Sequence, residues 1–161
     1  MYEATFVQKQ ARTPRAVAVA GILFALLYGA GLVLIRLSVP ARGDTDTSWR
    51  EINSRALALA LNLVPYAGIA FLWFIGVIRD RVGDLEDRFF ATIFLGSGLL
   101  FLALNFVGAA LAGGLLTSYG IEKSALLGGG VYTYSRSVIY NIINIYAVRM
   151  AGVFMISLAT I

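Results

Sequence analysis

The chain alternates long apolar runs with short polar ones. Residues 16–37, 56–78, 89–116 and 138–161 are almost continuously hydrophobic, and polar or charged segments separate them. Each run reaches the ~20 residues that a helix needs to cross about 30 Å of hydrocarbon. Lipid offers no water to backbone amides, so only helices or closed barrels can span it, and these runs lack the alternation of barrel strands. The expected fold is all-α: an integral membrane helical bundle of four transmembrane helices over residues 16–161, preceded by a polar, basic tail at 1–15. The first run is too long for a signal-peptide core and is read as a retained span.

Local signals set the expected ends. Thr13-Pro14 offers an N-cap followed by proline at the first helical position, opening a span at 16–37. Ser48-Trp49-Arg50-Glu51 matches a capping box, so the second helix is expected over about 50–78, with Trp49 at the interface and Pro65 bending the middle. In RDRVGDLEDR, Arg79 and Arg81 close one helix while Asp84, Glu86 and Asp87 open the next, where the macrodipole favours each sign. That order predicts a tight hairpin around Gly83 rather than an ion-binding loop, and a third span over 87–116. The fourth, 134–161, follows an apolar connection in which Tyr119, Tyr132 and Tyr134 suit the aromatic belt. Gly128, Gly129 and Gly130 there suit a flexible joint, a helix start or a re-entrant loop.

Small residues mark the expected helix contacts. Gly21, Ala25 and Gly29 recur every four residues in the first span, and Gly96, Gly98 and Gly108 sit in the third.

Composition narrows the chemistry. The protein is 59% hydrophobic and 14% charged, with mean hydropathy +0.80, far from a soluble domain. It contains neither cysteine nor histidine, which excludes disulfides, thiolate nucleophiles, His-ligated haem and a Ser-His hydrolase. No cofactor and no metal site is expected. The net charge of +4 comes from residues scattered at span ends, which suits membrane lipids and not nucleic acid. Basic residues divide evenly between the two sides; three in the tail and the short hairpin favour an N-terminus inside.

One residue breaks the pattern. Arg149 stands in YNIINIYAVRMAG, eleven residues beyond Val138, which is about 16 Å along a helix and close to the bilayer midplane. Insertion scales put that at roughly 2.5–3.5 kcal/mol. All nine acidic residues fall in the tail or the connections, so no other span supplies a carboxylate at that depth. Three arrangements would meet the cost. Arg149 could bond to Asn62, to carbonyls freed near Pro65 and to Asn105; it could pair with another subunit's carboxylate; or it could face a cavity and bind an anion or lipid headgroup. At 100° per residue Asn141 and Asn144 share a face with Tyr134 and Ser137, and Arg149 lies about 80° round from Asn141. Interhelical hydrogen bonding is the plainest use of that polar arc.

The segments GDLEDRFFATIFLGSGLLF and IYAVRMAGVFMIS resemble uncharacterised bacterial multi-span membrane proteins. The resemblance covers the second half of the chain, rests on no catalytic motif, and implies a bacterial inner membrane with no known activity. It also implies further hydrophobic sequence after Ile161, so the chain is expected to be either a fragment or a short form.

Two functions remain in view. The first is a non-enzymatic assembly or accessory subunit that packs through small-residue faces, as a homo-oligomer or with a partner membrane subunit. The second is half of an oligomeric transporter or channel, binding an anionic solute or lipid near Arg149, Asn141, Asn144, Asn62 and Asn105. An intramembrane enzyme is disfavoured, because no span holds a carboxylate, histidine or cysteine for proton transfer or nucleophilic attack.

Overall fold

A computed structural model describes residues 3–38, 54–82, 88–121 and 130–160. They form four helices: α1 (Glu3–Ser38), α2 (Ser54–Val82), α3 (Arg88–Ile121) and α4 (Val131–Thr160). Within α4 an α-helical stretch, Val131–Asn141, passes into a π-helical segment, Ile142–Ala147, and back into α-helix over Val148–Thr160. Each of the four contains a stretch long and apolar enough to cross a membrane: Ala16–Ser38, Arg55–Asp80, Phe89–Ser118 and Val131–Thr160. The described residues contain no strand.

The ends differ from the local signals in instructive ways. The first helix starts at Glu3 and passes through Thr13 and Pro14, so those residues do not cap its beginning. Good helix formers in QKQAR carry the helix through, at the expense of the one backbone bond that proline cannot donate. Pro65 is likewise inside α2, which is continuous across it. The capping box and the charge-sorted turn at Gly83 lie outside the described residues. The last glycine of the GGG run does have a role at a helix start: Gly130 adopts φ 69°, a left-handed conformation open to glycine, and its carbonyl accepts from the Tyr134 amide at 3.1 Å.

Sequential helices pack side by side. α1 lies along α2, α3 runs along all three parts of α4, and the α2–α3 contact joins the two pairs. α1 and α2 approach closely where both carry small residues, with Ala20 and Ala60 fully buried and Gly31 against the Ala60 carbonyl. Small residues allow this because helices in lipid are held by packing contacts, the hydrophobic effect having been spent on insertion.

Aromatic rings fill the centre. Phe71 on α2 meets Phe24 of α1 at 4.8 Å, Phe101 of α3 at 5.4 Å and Phe154 of α4 at 5.2 Å between centroids. Phe154 in turn stacks on Phe94 at 4.8 Å. Glycines provide the room. Gly98 opens a slot for Ile75 and the Phe154 ring, Gly68 for Phe106, Gly108 for Ile143, and Gly21 for Phe74.

The expected packing residues therefore separate. Gly21, Gly98 and Gly108 lie against large side chains, whereas Ala25 is exposed and Gly29 and Gly96 face open space. Gly31 and Gly68 were not among those expected. The small-residue strip along α1 is present in sequence, but only its Gly21 end meets α2, against Phe74.

Gly96 and Gly98 supply a controlled comparison. A Cβ on Gly98 would sit 2.7 Å from Ile75 Cδ1, while one on Gly96 meets nothing within 4 Å. Gly98→Val is expected to destabilise the bundle by about 1–3 kcal/mol. Gly96→Val should leave it within about 0.5 kcal/mol. Reversible unfolding in mixed micelles reads the difference; equal effects at both positions would show that the slot is not filled as described.

The polar face of the fourth helix

Polar side chains in the spans mostly turn back onto their own helix. The amide nitrogens of Asn62, Asn105 and Asn144 donate to the carbonyls of Ala58, Phe101 and Tyr140 at 2.9, 2.8 and 3.1 Å. Ser97 donates to Phe94 O and Ser157 to Val153 O in the same manner. Such bonds satisfy a donor where lipid offers no alternative. They leave the asparagine Oδ1 atoms available for a second partner.

Only one of the three asparagines finds it inside the bundle. Asn105 is buried, and its Oδ1 accepts a hydrogen bond from the Tyr28 hydroxyl at 3.0 Å, linking α3 to α1. Asn62 and Asn144 are exposed, and no donor among the described residues reaches their Oδ1 atoms. Tyr28 was not singled out from the sequence. The available signal was a lone phenol in the middle of an otherwise apolar span, which needs a partner when buried.

Arg149 is exposed, as are Asn141, Tyr146, Val148 and Gly152 around it. Among the described residues nothing bonds to its guanidinium. Asn105 is committed to Tyr28, and Asn62 sits exposed on α2, so the five residues considered together from sequence do not form one intramolecular cluster.

The π-segment explains the face on which Arg149 lies. Ile142–Ala147 places an extra residue in the turn, which sets every later residue back by up to ~100° relative to a uniform α-helix. The 80° offset between Asn141 and Arg149 holds only without that insertion. With it, Arg149 comes round to the side that carries Asn141 and Asn144, while Ala147 turns inward and is buried. Nothing in the spacing of IINIYA announces the wider turn. Its structural setting is Ile143, which enters the slot at Gly108.

Depth follows from the packing register. On α3, Ile143 meets Gly108 and Phe154 meets Gly98, so Arg149 between them lies level with about Leu102, near the middle of the Phe89–Ser118 span. The α3–α2 contacts of Gly68 with Phe106 and of Gly98 with Ile75 put Phe71 at a similar level. An arginine therefore occupies the outer surface of the array at the height of its aromatic centre. Comparisons with protein-family models, with curated proteins and with solved structures give no match.

The Tyr28–Asn105 bond can be weighed by a double-mutant cycle. Tyr28→Phe and Asn105→Ala are expected to couple by about 0.6–1.7 kcal/mol in unfolding from micelles, the range found for side-chain bonds in membrane bundles. Strict additivity would mean that the bond is replaced by other partners when either end is removed.

Proposed function

We propose that the protein is a non-enzymatic subunit of a membrane complex, in a bacterial inner membrane, and that it assembles through the exposed polar face of α4. Its four apolar helices are those of a membrane-embedded protein. One observation carries the assembly reading: a mid-depth arginine lies on the outside of the array, on the face that also carries Asn141 and Asn144, and is unbonded among the described residues. A charged group in that position is stable when another protein covers it. The absence of carboxylate, histidine and cysteine from mid-depth positions of every span supports a role without catalysis. The dispersal of Asn62 and Asn105 away from Arg149 supports assembly over a solute site enclosed by one copy.

Native mass spectrometry of the protein gently extracted from its own membrane tests this reading. Wild type is expected to run in a defined complex, and Arg149→Leu to shift it at least ~tenfold towards free subunit, with its folded fraction unchanged. A complex indifferent to Arg149→Leu would remove the basis for the proposal. A homo-oligomer that retains an anionic solute, altered by Arg149→Lys, would favour transport instead, since lysine keeps the charge and loses the planar fork.

A further inference from the structure

On the assembly reading, another molecule sits opposite Arg149. We infer that it is a different membrane protein whose own transmembrane helix offers an ionised Asp or Glu carboxylate at bilayer mid-depth.

Charge complementarity excludes the nearer sources. Of the nine acidic residues, Glu3 lies thirteen positions before the Ala16–Ser38 span, Asp80 closes the Arg55–Asp80 span, and the rest occupy connections in the sequence. Neither Glu3 nor Asp80, the two among the described residues, stands at the level of Leu102, and no apolar run of the sequence contains another. A second copy brings the same inventory, and a two-fold contact through this face would set one guanidinium near another. The Oδ1 atoms of Asn141 and Asn144 could take some of its five donors, but they carry no charge to neutralise it.

Lipid phosphate is too far away. An extended arginine side chain covers only about half of the ~15 Å from the midplane to the headgroups. The local surface suits a helix instead. Gly152, three residues beyond Arg149 and exposed, has open space where a Cβ would stand, so a partner backbone can come close. A carboxylate arriving there takes two parallel N–H···O bonds from the guanidinium fork, and Asn144 Oδ1 remains as a neighbouring acceptor.

The test uses the full chain in phosphatidylcholine vesicles with a Leu-rich single-span probe helix bearing one central Glu, and matched probes with Gln or Leu. The protein has no cysteine, so one introduced at Thr160, exposed near the end of α4, takes a single fluorophore for energy transfer. The Glu probe is expected to associate roughly tenfold more tightly than the Gln probe, and Arg149→Leu to bring the two level. Equal association of all three probes overturns the inference, as does a Glu preference that survives Arg149→Leu. Loss of the preference when phosphatidylglycerol is added overturns it in favour of a lipid phosphate. The native complex separates the two readings: if Arg149→Leu disrupts it while the probes show no Glu preference, assembly stands and the carboxylate partner falls. If no native complex depends on Arg149, both fall.

Discussion

The arrangement of the four helices depends on Phe71. Its ring is within aromatic contact of one ring from each of the other three helices. Removing water from apolar surface does not hold helices together once they are in lipid, so shape must. Aromatic pairs add about 0.5–1.5 kcal/mol each beyond the area they cover. Three of them converge on one side chain. The glycine slots follow from this, because large rings on one helix require missing side chains on the next, as at Gly98 beneath Phe154.

A second economy governs polar groups. Most serines and asparagines in the spans direct their donors to their own helices, as Asn62 does to Ala58 and Ser157 to Val153, and so remain compatible with lipid or with packing. A polar cross-link between helices joins Tyr28 of α1 to the buried Asn105 of α3. Arg149 follows neither course, since a guanidinium has five donors and no acceptor, and no described residue gives it a partner. The proposed partner would supply what the described residues do not.

How much of this could be read from the chain depended on the kind of signal. The spans were legible because twenty consecutive apolar residues have few other uses, and Arg149 stood out because its chemistry conflicts with its surroundings. The ends were less so: Thr13-Pro14 carries the marks of a helix start, yet the favourable residues before it extend α1 to Glu3. Glycine spacing identified Gly98 and Gly108 but also Gly29 and Gly96, since a sequence shows which side chains are small and not which ones a neighbour approaches. Asn105 could be flagged as polar, while its bond to Tyr28 required knowing which faces of α1 and α3 meet. The π-segment defeated the angular argument outright, because a helical wheel assumes the very uniformity that Ile142–Ala147 lacks.

The aromatic centre also has an order in time. Chains enter the membrane from the N-terminus, and α1 and α2 can align along their small-residue faces as soon as both are inserted. Phe24 is then already beside Phe71, but the remaining sides of that ring wait for Phe101 and finally Phe154 near the end of the described chain. Until the fourth span arrives, the first hairpin presents an unfinished aromatic surface to the bilayer. The helix that completes it also carries Arg149, so the charge enters the membrane in the same event that closes the core.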